Sequence, residues 1–287
     1  MFHVEHMIKK EASLNAKDHL VSKETFEIKW NEKRNYAETS LPKDIVLSRY
    51  YETEDYNSHK TETKSFLDLL YKTVQKSMLY YKARFVKPQI KGNVLDVGGG
   101  VGVFAAYLSH RKFETTVVEP SKKGYEACTK KGLNTYLSVA DLPKTKRYSA
   151  ITMWHVLEHL TSPEKTLQEL HALMEADALL IVAVPNFNSH DARYYGSGWA
   201  ALDVPRHLWH FTHKGLMDLI EPQGFEFKTQ KPLWFDVFYI SYLSEKNSNK
   251  KLSFLRGLLI GTICTFRALF DDEHSSNIYV FKKKTIH

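Results

Sequence analysis

The sequence predicts an α/β fold in which a mainly parallel sheet lies between helices. The first indication is a short apolar strand at 94–97 that runs directly into a glycine-rich loop. Further apolar segments of strand length follow in order, with helical patterns between several of them. These segments lie at 115–118, 135–137, 148–154 and 178–184. The succession of strand, glycine loop and helix predicts a nucleotide pocket at the carboxyl ends of the strands.

The loop after the first predicted strand has glycine at every second position, namely Gly98, Gly100 and Gly102. A side chain there would block close approach of the backbone to a ligand, and glycine alone adopts positive φ without cost. Residues 104–108 then predict a helix whose N-terminal amides face the ligand. The same loop also fits the dinucleotide fingerprint G-x-G-x-x-A over 100–105, so a nicotinamide cofactor is the alternative.

Two acidic residues bear on that choice. Asp96 stands at the loop entrance, where a carboxylate would repel a pyrophosphate but would attract the ammonium and sulfonium groups of S-adenosylmethionine (SAM). Glu119 ends the second predicted strand, where an acid can accept hydrogen bonds from both ribose hydroxyls. Glu119 thus indicates an adenosine ligand, and Asp96 favours SAM.

The ordered motifs between about 92 and 186 resemble those of the class I SAM-dependent methyltransferases. The segment 155–160, HVLEHL, is similar to the motif after strand four in members that modify small molecules, lipids and glycans. The resemblance implies a Rossmann-like, mainly parallel seven-stranded sheet with strand order 3-2-1-4-5-7-6. It also implies that SAM is the cofactor and that an acid and its neighbour after strand three meet the adenine. The cofactor-binding residues predicted on these grounds are Asp96, Gly98, Gly100, Gly102, Glu119, Asp141 and Leu142.

Composition sets broad limits on the chain. Its 287 residues suffice for one large domain with an appendage, and the net charge of +7 permits anionic partners without choosing among them. The two cysteines, Cys128 and Cys264, are too few for a disulfide framework or a four-cysteine zinc site. A reducing cytoplasm is therefore the expected location, with the inner face of the membrane as an extension of it.

The chain is predicted to divide at residue 60. Residues 1–60 form an N-terminal appendage with one strand near 26–30, and they resemble a family zinc module that has lost its cysteines. Residues 61–287 form the methyltransferase domain, which begins with a helix over 61–86 and carries a helical insertion at about 231–276. Residues 50–56 predict either a lid over the cofactor or a solvated acidic loop.

The segment after strand five is predicted to border the acceptor. Trp199, Arg206 and Trp209 could hold an acceptor by stacking and charge-assisted hydrogen bonds, although packing of the loop is the alternative for the aromatic residues. His155 is the histidine best placed to act as a general base, and His207 and His210 are the alternatives. The resemblance to quinone O-methyltransferases allows a divalent ion at Glu158 and His159, but a structural role is favoured and no metal is predicted.

The C-terminal third predicts an element that touches a membrane. Residues 252–270 are apolar apart from Arg256 and Arg267, and the uncharged run 257–266 is too short to span a bilayer. The two arginines lie about three helical turns apart, on one face. An interfacial helix or a lid over a lipid substrate is one interpretation, and a buried helix pair is the other.

The predicted function is transfer of a methyl group from SAM to an oxygen of a small molecule, a glycan precursor or a lipid-linked compound. Nitrogen and carbon acceptors stay open. Methylation of RNA or protein is the second hypothesis, and nucleic acid is disfavoured because HVLEHL replaces the Asn/Asp-Pro-Pro-aromatic motif of many base methylases. A non-catalytic SAM-binding accessory protein is the third, and an acceptor pocket blocked by residues 199–209 would mark it.

Overall fold

A computed structural model describes residues 13–51, 66–86 and 92–284 of the chain. The described strands are β1 (Ser13–Lys17), β2 (Thr25–Asn31), β3 (Tyr36–Thr39), β4 (Asn93–Val97), β5 (Glu114–Val118), β6 (Asn134–Tyr136), β7 (Tyr148–Trp154), β8 (Met174–Pro185), β9 (Trp209–Phe211), β10 (Phe225–Pro232) and β11 (Ser276–Lys283). The described α-helices are α1 (Phe66–Val86), α2 (Val103–Ser109), α3 (Lys122–Lys130), α4 (Pro163–Ala172), α5 (His190–Tyr195), α6 (His213–Ile220), α7 (Asp236–Asn247) and α8 (Ser253–Ala268).

The larger sheet has seven strands in the order β6-β5-β4-β7-β8-β11-β10. Strands β4 to β8 pair in parallel, whereas β11 is antiparallel to both β8 and β10. Numbered along the chain within this sheet, the order is 3-2-1-4-5-7-6, so the predicted fold class and topology are confirmed. The five parallel strands lie at the segments predicted from the sequence, but β6 ends at Tyr136, one residue before the predicted end, and β8 starts earlier than residue 178, at Met174.

Helices cover both faces of this sheet because neighbouring residues of a strand point to opposite sides. Val94 packs in one cluster with Ala83 and Val86 of α1 and with Phe104 of α2. The next residue, Leu95, packs in a second cluster on the other face with residues of α4 and α6. This two-sided burial leaves the carboxyl ends of the parallel strands as the edge that a ligand can approach.

The smaller sheet joins three strands near the N-terminus to a short strand that follows β8 in the chain. Its order is β1-β2-β3-β9, all antiparallel, and β2 confirms the strand predicted near 26–30. Strand β3 pairs with β9 through Tyr36 and Phe211. Both cysteines lie outside this sheet, in α3 and α8. The division at residue 60 stays a prediction, and so does the zinc-module origin of this part.

Helices α7 and α8 form an antiparallel insertion between β10 and β11. They pack closely because glycines face α7: a Cβ atom at Gly257 would lie 2.7 Å from the backbone of Tyr242. Residues 52–56 of the predicted lid lie outside the described residues, as do residues 61–65 of the predicted helix. Tyr50 is described and buried, where its ring meets Phe26 edge-on.

Candidate active site

The glycine loop turns sharply between β4 and α2. Gly98, Gly100 and Gly102 have φ values of 67°, 55° and 74°, which residues with a side chain rarely adopt. A Cβ at Gly98 would lie 2.4 Å from Val156, and one at Gly102 would lie 2.8 Å from Cys128. Apart from the two neighbours of Gly100 in the chain, no described residue has an atom within 4 Å of a Cβ placed on Gly100. Close packing thus excludes side chains at Gly98 and Gly102, while Gly100 faces open space at the edge where a cofactor would bind.

Glu119 connects this loop to the next one. One carboxylate oxygen accepts a hydrogen bond from the Gly100 amide (2.7 Å), and the other accepts from the Ser121 amide (2.9 Å). Each oxygen has a second lone pair that can accept from a ribose hydroxyl. The open face of Gly100 and this buried acid fit the nucleoside part of SAM.

Asp96 lies near the end of β4 and is 2 % exposed. Burial raises its pKa to about 6, while a hydrogen bond from Thr152 Oγ1 (2.7 Å) and the charge of Lys82 oppose that shift. Lys82 comes from α1, and its Nζ lies 4.5 Å from the centre of the Trp154 ring. Burial lowers the pKa of Lys82, against the charges of Asp236 and Asp96. The region between β4 and β7 therefore holds a carboxylate that can balance a cationic ligand.

Asp141 and Leu142 have structural roles here. One Asp141 oxygen accepts hydrogen bonds from the amide and hydroxyl of Ser138, which caps the short 3-10 turn Val139–Asp141. Leu142 is buried in the core beneath the sheet. A cofactor role for both residues stays a prediction, since the exposed Asp141 keeps lone pairs and lies after β6 on the cofactor side.

His155 begins a second polar cluster directly after β7. Its φ is 57°, and its two ring nitrogens face two carboxylates: Nδ1 lies 3.3 Å from Glu158 Oε1 and Nε2 lies 2.9 Å from Asp236 Oδ2. Burial alone would lower the pKa of His155, but the two carboxylates outweigh it and raise the pKa to about 9. At neutral pH this ring is an imidazolium without a free lone pair. Its role as general base stays a prediction, and it requires Asp236 or Glu158 to move away.

His207 lies on the other side of Glu158. Its Nδ1 is 2.8 Å from the Ala201 carbonyl oxygen, which can only accept, so Nδ1 carries the proton and Nε2 has the lone pair in the neutral ring. That Nε2 lies 4.0 Å from Glu158 Oε1. Glu158 is 1 % exposed, and its Oε2 atom has no hydrogen-bond partner within the described residues. The Nε2 nitrogen of His207 and a buried carboxylate oxygen of Glu158 thus face each other at the end of β7.

His159 completes a group that could hold a metal. Donor atoms of Glu158, His159 and His207 lie within 4.8 Å of one another. The Nδ1 atom of His159 lies 3.0 Å from the Arg206 carbonyl, and burial and the neighbouring His207 lower the pKa of His159 to about 4. Neutral histidines oriented through Nδ1 are a common form of metal ligand. The absence of a resident metal stays a prediction.

His210 and Trp209 lie in β9, where they belong to the small sheet. Thr39 donates its hydroxyl hydrogen to the His207 carbonyl and therefore accepts from His210 Nε2 at 2.9 Å. Burial lowers the pKa of His210 to about 3. Trp209 donates from Nε1 to the Leu160 carbonyl. Both rings, with Phe187 and His207, line a narrow crevice beside β8.

Trp199 and Arg206 are buried in packing contacts. Trp199 donates from Nε1 to Asp191 Oδ2 at 2.7 Å. Arg206, the largest fully buried side chain, forms ion pairs with Asp203 (2.6 Å) and Asp18 (3.1 Å). Arg206 thereby fastens the small sheet to the loop after β8. The geometry favours the packing alternative for these two residues, and their roles in acceptor binding stay predictions.

No sequence motif marks Lys82, Thr152 or Asp236, which the fold brings to the site. Thr152 has a weak signal, because its hydroxyl lies between the apolar residues Ile151 and Met153 of β7. Asp236 begins α7, 81 residues after His155, so only the tertiary fold brings the two together. Lys82 is one of several lysines on α1 and cannot be told from the others by spacing.

Comparison with known proteins agrees with this fold. Residues 71–230 match the family model described as a methyltransferase domain. A ubiquinone biosynthesis O-methyltransferase of Rickettsia prowazekii (strain Madrid E) is 23 % identical over 214 residues, which are 62 % of this chain and 84 % of that protein. Among solved structures, the cyclopropane synthase MmaA2 from Mycobacterium tuberculosis has a TM-score of 0.53 at 13 % identity, covering 82 % of this chain and 88 % of that one. Coclaurine N-methyltransferase, solved with N-methylheliamine and S-adenosylhomocysteine, also has a TM-score of 0.53, at 14 % identity with 78 % and 76 % covered.

The fold and the cofactor edge are those of a class I SAM-dependent methyltransferase. Because the family match spans more than half of the 287 residues, the chain belongs to the methyltransferase domain family. It is an enzyme, and its cofactor is SAM.

Proposed function

We propose that the enzyme transfers the methyl group of SAM to an oxygen atom of a small molecule, a glycan precursor or a lipid-linked compound. The observation that carries this proposal is the pairing of His207 with Glu158. His207 Nε2, which has the lone pair of the neutral ring, lies 4.0 Å from Glu158 Oε1 at the carboxyl end of β7, and the buried Glu158 Oε2 has no hydrogen-bond partner within the described residues. The name of the Rickettsia relative, an O-methyltransferase, supports the same acceptor atom.

The cluster supplies the proton chemistry that an oxygen acceptor needs. SAM, when bound, supplies a methyl group on a positively charged sulfur. His207 Nε2 takes the proton of the acceptor hydroxyl, and the oxygen becomes nucleophilic as that proton leaves. Glu158 then stabilises the imidazolium that forms, and the Ala201 carbonyl keeps the ring in one orientation. His155 and Asp236 act as positioning residues, because they hold Glu158 from its other side.

Cofactor residues belong to the same proposal. Gly100 and Glu119 hold the nucleoside, and Asp96 balances the cationic part of SAM. We place the reaction in the cytoplasm, since both cysteines are free and buried. RNA or protein methylation is a weaker candidate, supported only by the net charge of +7.

The acceptor atom is tested with two small probes of similar shape. Purified enzyme is incubated with methyl-deuterated SAM and either catechol, which offers oxygen, or ortho-phenylenediamine, which offers nitrogen. Mass spectrometry should find the labelled methyl group on catechol only. A labelled diamine with unlabelled catechol would contradict an oxygen acceptor.

The base is tested with His207→Ala, matched with His110→Ala at an exposed helix end. Loss of the proton acceptor should lower kcat roughly 10²- to 10⁴-fold while SAM affinity is unchanged. Added imidazole should restore part of the kcat of His207→Ala, which a merely structural role would not allow. Equal kcat in the two variants would exclude His207 as the base.

A further inference from the structure

Helix α8 exposes an apolar surface that no described part of the chain covers. Successive helical residues are about 100° apart, which places the exposed apolar side chains of α8 on one arc of about 180°. The large apolar side chains of this arc range from 44 % exposed (Ile263) to 63 % exposed (Phe266). The arc consists of Phe254, Leu255, Leu258, Leu259, Ile263 and Phe266, together with two threonines. A continuous exposed apolar surface built from six large side chains marks an interaction site.

The two threonines on the arc have no free hydroxyl donor. Thr262 donates to the Leu258 carbonyl and Thr265 donates to the Gly261 carbonyl, both at 2.8 Å. Each bond runs four residues back along the helix, so the methyl groups remain to face outward. An arc whose polar groups are all satisfied within the helix can enter a medium that offers no hydrogen bonds.

Basic residues lie at the edge and at one end of the arc. Arg256 and Arg267 follow its last apolar position at about 200° and 220° on the same helical projection. Lys246, Lys250 and Lys251 are exposed where α7 leads into α8. The exposed acidic residues Asp271 and Asp272 lie beyond the other end of α8, and Asp271 pairs with His190. Positive charge beside an apolar face complements the headgroups of an anionic bilayer.

Aromatic side chains border the arc on both sides. Trp234 is 39 % exposed and lines a crevice together with Thr265 and Ala268. Tyr194 is 57 % exposed and lies on α5, a helix that packs against α8. Tryptophan and tyrosine favour the boundary between headgroups and acyl chains. A second copy of the chain fits this surface less well. A single partner helix covers only a narrow apolar stripe, which charged residues usually border, whereas the arc of α8 spans about 180°.

We infer that helix α8 docks on an anionic lipid bilayer, with its axis along the surface. Among the described residues no helix is both long enough and apolar enough to cross a membrane, so the contact is peripheral. Helix α8 packs on α7, whose Asp236 bonds to His155, and docking therefore holds the candidate active site at the membrane surface. From this docking we further infer that the acceptor is an amphiphile presented by the bilayer, and this step rests on the proposed function. The docking itself does not depend on the proposed function.

Docking is tested by co-sedimentation with vesicles of phosphatidylglycerol and phosphatidylcholine. The triple variant Leu255→Gln/Leu259→Gln/Phe266→Gln should have a partition coefficient for mixed vesicles at least tenfold below that of the wild type. The reason is that the three apolar side chains of the wild type enter the acyl region, whereas glutamine does not. The matched control is Leu20→Gln/Val46→Gln/Leu137→Gln, which changes three other exposed apolar side chains (41–60 % exposed) and should partition like the wild type. Binding of the α8 variant at wild-type strength would overturn the inference.

The charge contribution is tested separately. Lys250→Gln/Lys251→Gln should weaken binding to phosphatidylglycerol vesicles about fivefold per lysine, with no effect on pure phosphatidylcholine. The control is Lys33→Gln/Lys43→Gln, at exposed lysines of the small-sheet region. Equal losses in the two pairs would mean that overall charge, and not this surface, attracts the bilayer.

Two further measurements separate the other outcomes. If light scattering shows a dimer that the α8 triple variant converts to monomer, and wild type does not sediment with vesicles, the occupant is a second copy and the inference falls. SAM binding by calorimetry should be the same in wild type and in the α8 variant. Loss of SAM binding in both would contradict the enzyme's proposed cofactor site and leave the vesicle result standing on its own.

Discussion

His155 Nε2 lies 2.9 Å from Asp236 Oδ2, and this contact joins the end of β7 to the first turn of α7. It gives His155 two carboxylate partners, because Glu158 faces its other nitrogen. The pair also connects the candidate active site to the helical insertion. A proton held on this ring therefore affects both the site and the stability of the fold.

The first prediction concerns that proton. The pKa of His155 is raised to about 9 in the folded protein, above about 6.5 in an unfolded chain. The folded state thus binds more protons between these values, and its stability should fall as pH rises from about 6.5 to about 9. A tenfold difference in proton affinity corresponds to about 1.4 kcal/mol. The free energy of unfolding should fall by roughly 1–2 kcal/mol over this pH range, because solvent screens the partly exposed side chain.

Asp236→Asn should lower the pKa of His155, which NMR titration of the ring measures, and should flatten the pH dependence of the free energy of urea unfolding. An unchanged His155 pKa would refute the assignment.

The second prediction concerns Glu119. Glu119→Ala removes the acceptor of the Gly100 and Ser121 amides and the proposed ribose ligand. Affinity for SAM, measured by calorimetry, should fall at least tenfold, since a hydrogen bond to a charged group contributes about 1.5–3 kcal/mol. Glu126→Ala, an exposed acid on α3, is the matched control and should bind SAM normally. Unchanged affinity in Glu119→Ala would remove this residue from the cofactor site.

The third prediction concerns metal. If His207 Nε2 takes the acceptor proton, no ion can use the same lone pair. Turnover should therefore be the same before and after EDTA treatment and should not respond to added Mg²⁺ or Zn²⁺. Turnover that EDTA abolishes and one of these ions restores would place a cation among Glu158, His159 and His207, and the base assignment would fail.

The fourth prediction separates the two roles considered for Arg206. Arg206→Leu breaks buried ion pairs with Asp18 and Asp203, and leaves Asp18 buried beside an apolar side chain. Urea unfolding should show a loss of about 3–5 kcal/mol. Arg49→Leu, which breaks an exposed pair with Glu24, should cost at most about 1 kcal/mol. A stable Arg206→Leu variant with a raised acceptor KM would instead assign Arg206 to the substrate.

Local sequence was enough for the sheet and for the position of the cofactor edge. The apolar residues of a strand such as β4 are enough to predict it. The loop after β4 needs glycines because its backbone has positive φ values that few other residues adopt. The strand order was expected only because the ordered motifs resemble those of the class I SAM-dependent methyltransferases, and the observed sheet agrees with it. The spacing of Arg256 and Arg267 in the sequence also predicted that the two arginines share one face of a helix.

Only the tertiary structure decided which polar groups meet. Arg206 is separated from Asp18 by 188 residues, and nothing near either residue in the sequence indicates that they pair. The proton on His155 depends on Asp236, and the free nitrogen of His207 depends on a carbonyl at Ala201. Periodicity reports the environment of a segment over a few turns or strands, whereas pKa values and tautomers depend on contacts of a few ångströms between distant segments. The sequence by itself thus determined the fold, the cofactor and the apolar character of α8, and tertiary packing decided that one side of α8 is buried and the other is exposed.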